Sequence, residues 1–151
     1  MKYLIIALLL ISGLQSGQAQ TPDNIKVTSE KEKTKVRVDD SGKLEVNVSP
    51  KDLDKFKSRG SLGYGDFGAK GNGKTDDIDA IAATHAVANK YGIPVKADNG
   101  AKYYIGGKER TVIIMTDTDF GTAEFTIDDT NVENRQAPIF QVTSTLESFP
   151  L

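Results

Sequence analysis

The sequence predicts a mainly β protein that contains one long amphipathic helix. From residue 93 onwards, short apolar or alternating segments are separated by polar turns, which is typical of strands. Before them, one set of residues recurs at the spacing of a helical stripe. Earlier still, two alternating segments flank a turn, which predicts a β-hairpin. The residues of the helical stripe are Ile78, Ile81, Ala82, His85 and Ala88.

The hairpin and a short helix are predicted in residues 35–60. Residues 35–38 and 43–48 alternate polar and apolar side chains around the turn-forming sequence DDSG. Ser49 is a favourable N-cap, and Pro50 suits the first helical position. We expect the short helix to end near Lys57, before a glycine-rich linker. Whether the hairpin packs on the long helix or forms a separate unit is left open by the sequence.

The long helix is predicted from about residue 76 to residue 91. Thr75 or an aspartate can cap it, and acidic residues in a first turn suit the helix dipole. Gly92 and Pro94 mark its end. Strands are expected around residues 93–97, 103–105, 112–115, 123–127 and 139–142. The continuous apolar run 112–115 is typical of a strand that is buried on both faces.

The first residues have the layout of a secretory signal peptide. A short positive start precedes an apolar run at 3–14, and GQA at 17–19 supplies a cleavage site. The run is shorter than the about 20 residues that span a bilayer, although a retained N-terminal anchor is the alternative. We therefore expect residues 1–19 to be removed, a flexible lead-in at 20–34, and a secreted or periplasmic protein without a stable membrane anchor.

Composition excludes several other classes of protein. The chain has no Cys, so disulfides and cysteine-linked lipids are excluded. Removal of Lys2 with residues 1–19 would leave 18 basic and 21 acidic residues, a net charge of −3. Basic residues are not in excess, so the composition does not indicate a nucleic-acid partner.

Residues 68–75, GAKGNGKT, match the phosphate-binding P-loop pattern. A helix follows, and an apolar strand that ends in Asp117 resembles the magnesium-holding strand of such enzymes. However, residues 61–66 are no buried strand, and Asp76 and Asp77 would repel a polyphosphate. Nucleotide binding therefore remains only a remote alternative. A structural turn with Phe67 as its apolar anchor explains the same glycines.

The segment DFGAKGNGKTDD at 66–77, followed by the helix with Ala80-Ile81, resembles the opening of the pectate-lyase superfamily. That family includes polygalacturonase-like and rhamnogalacturonase-like enzymes and some phage tailspikes. The resemblance is specific over 66–104 and thinner to residue 143, while residues 20–60 lie outside it. The Asp98-Asn99-Gly100 turn replaces a Pro-x-Gly turn of the family.

The resemblance implies the N-terminal part of a right-handed parallel β-helix at 61–151, with the amphipathic α-helix capping its first coil. It also implies a secreted, polysaccharide-active protein whose relatives cleave acidic glycans such as pectin by lyase or hydrolase chemistry. Only two or three coils fit after residue 93, so the chain is expected to be truncated and to lack the catalytic coils. No catalytic, cofactor-binding or metal-binding residues are predicted, and the open C-terminal coil is expected to self-associate. The alternatives are a non-catalytic glycan-binding or tailspike-like surface module and a small self-contained domain.

Several residue types still invite a functional interpretation. Aspartates two apart or on adjacent strands are used in relatives for calcium or acid–base chemistry, although aspartates at strand ends are commonly turn formers. A tyrosine can stack on a sugar ring, although tyrosines in strands commonly pack. The only histidine lacks partners for a metal site and is expected to pack at the core margin. These residues are Asp117, Asp119, Asp128, Asp129, Tyr103, Tyr104 and His85.

Overall fold

The computed structural model describes residues 25–30 and 33–144. The predicted signal peptide at 1–19 lies outside these residues. Among the described residues, no helix has the length and apolar character needed to cross a membrane. The α-helices are α1, Pro50–Arg59, and α2, Ile78–Tyr91, with a 3-10 helix at Tyr64–Phe67. The strands are β1 Ile25–Thr28, β2 Lys35–Val38, β3 Leu44–Asn47, β4 Asn72–Asp76, β5 Val95–Lys96, β6 Lys102–Gly106, β7 Val112–Ile114, β8 Thr118–Asp119, β9 Glu124–Asp128 and β10 Phe140–Val142.

The first sheet has the order β1-β3-β2. The predicted hairpin is confirmed, since β2 and β3 pair antiparallel and the turn closes with Asp39 N–H donating to the Lys43 carbonyl at 2.9 Å. Strand β1 pairs parallel to β3. It lies within the segment that the sequence analysis assigned to a flexible lead-in, so that assignment is wrong for Ile25–Thr28. Its alternation of apolar and polar residues outweighs the charged surroundings, because Ile25 is buried against the core.

Helix α1 begins where the local sequence predicts, and it ends at Arg59, two residues beyond the predicted end near Lys57. The Ser49 hydroxyl accepts a hydrogen bond from Asp52 N–H at 3.1 Å, and Pro50 occupies the first turn. Gly60 ends the helix in the left-handed conformation, with φ of 78°. Leu53 and Phe56 face the core.

Replacing Ser49 by alanine is expected to lower the free energy of unfolding by about 1 kcal/mol, because the N-cap hydrogen bond is lost. Urea unfolding followed by far-UV circular dichroism measures this change. Ser58→Ala is the matched control, since Ser58 is an exposed residue near the end of the same helix and alanine is a better helix former. Equal losses in the two variants would contradict a capping role for Ser49.

Helix α2 lies at the centre of the molecule. Its bounds agree with the prediction, but almost every residue from Ile78 to Ala88 is buried, rather than one stripe. The helix contacts the first sheet through β1, β2 and β3, and it contacts β5, β6, β7 and the 3-10 helix as well. The description as an amphipathic cap is therefore wrong, since a helix that is apolar all round is a buried helix.

The other strands form three small sheets with the orders β4-β6-β9, β5-β8 and β7-β10. Every pairing in these sheets is parallel. Each of β8, β9 and β10 therefore pairs with the strand that lies three strands earlier in the chain. Leu62 adds a single parallel bridge to Val95 at the far side of β5.

The predicted right-handed parallel β-helix is nevertheless wrong for this chain. The described residues form sheets of only two or three mostly parallel strands together with two α-helices. One of these sheets contains the antiparallel pair β2–β3. Helix α2 is buried along most of its length, in contact with the first sheet and with β5, β6 and β7.

Candidate functional site

The glycine-rich turn before α2 is organised around the carboxylate of Asp77. One carboxylate oxygen accepts the N–H of Lys70 at 2.7 Å, and the other accepts the N–H of Gly71 at 3.0 Å. Asp77 is 2% exposed, so a buried side chain accepts both hydrogen bonds, whereas the donor residues Lys70 and Gly71 are exposed and half-buried. Gly71 has φ of 57°, a conformation that favours glycine, and a Cβ there would lie 2.9 Å from that of Ala101.

The rest of the P-loop pattern forms a strand rather than a phosphate cradle. Lys74 and Thr75 lie on β4, and both of their backbone N–H groups donate to the side-chain oxygen of Asn72, at 3.0 and 2.9 Å. The backbone donors that a P-loop offers to phosphate are therefore engaged within the turn. Nucleotide binding through this segment has no structural support.

Polar side chains and one tyrosine that could contact a ligand lie together on the outer surface of the sheet β4-β6-β9. In β6, Tyr103 and Ile105 point inward and are buried, so the alternate residues point outward. The pairing register places Asp76 and Thr126 on either side of Tyr104, and places Asp128 beside Gly106. We call this surface the Tyr104 face. Its residues are Asn72, Asp76, Lys102, Tyr104, Gly106, Glu124, Thr126 and Asp128.

The ring of Tyr104 lies across Gly106. A Cβ on Gly106 would overlap Cε1 of the ring, so only glycine lets the ring take this position. The Tyr104 hydroxyl donates to Oδ2 of Asp128 at 2.7 Å. Asp128 Oδ1 accepts the N–H of Thr130 at 3.0 Å. The ring of Tyr104 is therefore partly exposed, and it is held in place by its contact with Gly106 and by the hydrogen bond of its hydroxyl.

The hydrogen bonds hold Asp128 in its charged form. Hydrogen bonds from Thr130, which have the larger effect, and from Tyr104 lower the pKa of Asp128 to about 2. The same bond to Asp128 raises the pKa of the Tyr104 hydroxyl. A general acid near neutral pH requires a raised carboxyl pKa, so Asp128 is suited to accepting hydrogen bonds rather than to donating a proton.

The other candidate aspartates do not converge with Asp128. Asp119 lies on β8 in a different sheet, where its carboxylate accepts the N–H of Gly121 at 2.8 Å. Asp117 is exposed just before β8, and Asp129 lies 3.8 Å from the Arg135 guanidinium. Among residues 25–30 and 33–144, no group of three or more His, Asp or Glu side chains is placed to hold a metal ion.

The structure places Tyr103 and His85 in the interior. Tyr103 is 1% exposed, and its hydroxyl donates to Asp98 at 2.6 Å. His85 has no exposed surface, and its Nε2 lies 2.9 Å from the Tyr64 hydroxyl. Burial lowers the pKa of His85 to about 4. His85 therefore lies deeper than the core margin at which the sequence analysis placed it.

Sequence reasoning named Tyr104 and Asp128 separately, but it missed Gly106 and Asp76 as their neighbours. Tyr104 and Gly106 are two residues apart on one strand, so the period of a strand could have placed them on one face. The contribution of Asp76 had no such signal, because it depends on β4, which was not predicted as a strand.

Comparisons of this chain with protein-family models, with curated proteins and with solved structures give no match.

Proposed function

We propose that this chain binds polysaccharide through the Tyr104 face and forms part of a secreted or periplasmic polysaccharide-active protein. The observation that carries the proposal is the partly exposed ring of Tyr104, which lies across Gly106 and is hydrogen-bonded to the Asp128 carboxylate. An aromatic ring offers a flat apolar surface to the C–H face of a sugar, and its hydroxyl fixes its orientation. The charged carboxylate of Asp128 beside the ring is suited to accepting hydrogen bonds from sugar hydroxyls.

The chemistry of the Tyr104 face favours binding over cleavage. Hydrolysis of a glycosidic bond uses two carboxyl groups, one of which donates a proton. Asp76 and Asp128 lie on strands at opposite sides of β6, and the pKa of Asp128 is lowered rather than raised. The resemblance of residues 66–77 to polysaccharide-cleaving enzymes supports a polysaccharide as the ligand class. Cleavage, by lyase or hydrolase chemistry, would then depend on residues other than those of this face.

Titration calorimetry with oligogalacturonate and with a neutral galactan oligosaccharide tests the proposal. We expect the chain to bind at least one of them, and Tyr104→Ala to weaken that binding by about 5- to 150-fold, since stacking on an aromatic ring contributes on the order of 1–3 kcal/mol. Tyr91→Ala is the matched control, because Tyr91 is a half-buried tyrosine at the end of α2, away from this sheet.

Gly106→Ala provides an independent variant that keeps the tyrosine. The new methyl group would displace the ring, so we expect weaker glycan binding together with loss of the Tyr104–Asp128 hydrogen bond. Equal affinities in the wild type, Tyr104→Ala and Gly106→Ala would contradict the proposal. A rise in unsaturated-uronate absorbance with this chain would contradict the assignment to binding alone.

A further inference from the structure

The strands β8, β9 and β10 form an incomplete layer of the molecule, which we call the terminal layer. Each of them pairs with one earlier strand, and none has a second strand neighbour among the described residues. Glu124 N–H donates to the Ala101 carbonyl at 2.9 Å, so the backbone groups of the alternate residues Phe125 and Ile127 point to the free side of β9. Among the residues that the structure describes, each of these three strands thus has one edge without a strand neighbour.

The interior of the terminal layer is apolar and open. The strands or their ends contribute one phenylalanine each, namely Phe120, Phe125 and Phe140, whose ring centroids lie 5.5–6.2 Å apart. Ile127 pairs in register with the buried Ile105, and Val142 with the buried Ile114, so both face the same interior. Nevertheless, Ile127 is 51% exposed and Val142 is 79% exposed.

A further layer of strands would pair with the free edges and would cover the exposed apolar side chains. An extended peptide could pair with one of the three edges, but it could not cover the interior that lies between them. A partner must therefore carry three edges in the same arrangement. The terminal layer of a second copy has this arrangement by symmetry.

The opposite side of these sheets is closed. There, α2 contacts β5, β6 and β7, the ring of Tyr64 contacts that of Tyr103, and Leu62 and Tyr64 have no exposed surface. A head-to-tail contact, which would build an open filament, would need an accessible surface at that side as well. The accessible contact is end to end, between two identical surfaces, and it closes as a dimer.

We propose that the terminal layer is a dimerisation surface, on which the three edge strands β8, β9 and β10 of one copy meet the three edge strands of a second copy across a two-fold axis. Pairing extends each small sheet across the interface and removes Ile127, Val142 and the phenylalanine cluster from water. The proposal is independent of glycan binding, since it uses the edges and the interior of the sheets rather than the Tyr104 face.

Sedimentation velocity of the purified chain tests the proposal. We expect a shift from monomer to dimer between about 1 and 100 μM protein, the range of a modest interface. The double variant Ile127→Lys/Val142→Lys is expected to raise the dimer dissociation constant at least about tenfold, because two charges would be buried at the interface. Val38→Lys is the matched control, since Val38 is 43% exposed on the edge strand β2 of the first sheet.

Cross-linking locates the interface without a change in its apolar residues. Because the chain has no native cysteine, Thr126→Cys on β9 and Ser41→Cys in the β2–β3 turn each supply a single thiol. With a short bismaleimide, we expect Thr126→Cys to give a covalent dimer and Ser41→Cys to remain monomeric. Near-UV circular dichroism confirms that each variant is folded.

Three results would overturn the proposal. One is a wild-type chain that stays monomeric at every concentration. Another is a folded double lysine variant with unchanged affinity. The third is dissociation by Val38→Lys, which would place the interface at the first sheet.

Discussion

Replacing Asp77 by alanine is expected to lower the free energy of unfolding by about 3 kcal/mol or more. The buried Asp77 carboxylate accepts two backbone N–H groups, from Lys70 and Gly71, and alanine would remove the acceptor of both. Hydrogen bonds to a charged group contribute about 1.5–3 kcal/mol each. For a chain of this size, the melting temperature should fall by about 10 °C.

Thermal and urea unfolding of three variants give the measurement. Asp77→Asn keeps one acceptor oxygen and the shape of the side chain, so its loss should lie between those of the wild type and Asp77→Ala. Asp54→Ala is the control, because Asp54 is an exposed aspartate on α1, and its loss should stay within about 0.5 kcal/mol. If Asp77→Ala were no less stable than Asp54→Ala, the carboxylate would not organise the glycine-rich turn.

Acidification is expected to destabilise the protein between pH 6.5 and 4 through His85. The folded-state pKa of His85 is lowered to about 4, whereas the ordinary value is 6.5. The unfolded chain therefore binds the proton first as the pH falls. The stabilising contribution is complete above pH 6.5, decreases between pH 6.5 and 4, and is lost below pH 4. The total loss is about 3 kcal/mol.

The structural cause is burial without a second partner. His85 Nε2 bonds to the Tyr64 hydroxyl, while Nδ1 has no hydrogen-bond partner among the described residues. A protonated ring would carry a charge into the core with one donor unpaired, which is costly. Asp128 affects stability at lower pH than His85 does. Its pKa is lowered to about 2, so its contribution to the free energy of unfolding decreases only below about pH 4.

The measurement is the free energy of unfolding in urea at intervals between pH 7.5 and about 4. His85→Gln retains a hydrogen-bonding side chain but does not titrate, so its stability should change much less across this range. The carboxylates remain in both proteins and provide a common baseline. If the wild type and His85→Gln had parallel profiles, His85 would not be the source of the acid sensitivity.

Local structure follows the sequence where a side-chain pattern specifies it. The hairpin, both helices and the strands β5, β6, β7, β9 and β10 correspond to alternating or apolar segments. Strand β4 escapes prediction because its sequence NGKTD contains no apolar side chain, and backbone pairing with β6 holds it in place. The burial of α2 on all of its faces is not predicted from the sequence either. Alanines such as Ala83 and Ala86 give a weak pattern, yet their small size permits close packing on both sides.

The larger error, the predicted parallel β-helix, concerns how the strands and helices pack together. Parallel strands separated by turns fit several architectures, and the sequence does not say how much of the interior a helix fills. The Tyr104 face shows the same limit at the scale of a site. The residues of β6 reveal which side chains point outward, but the approach of Asp128 depends on the pairing of β9 with β6.

The central position of α2 has a consequence for how the protein comes apart. Neither the first sheet nor the later strands have a complete interior of their own, because both complete it with opposite sides of one helix. Melting should therefore be a single cooperative transition reported alike by every probe. A proteolytic cut between α1 and α2 should not release two stable pieces, since each would expose the surface that the shared helix now covers.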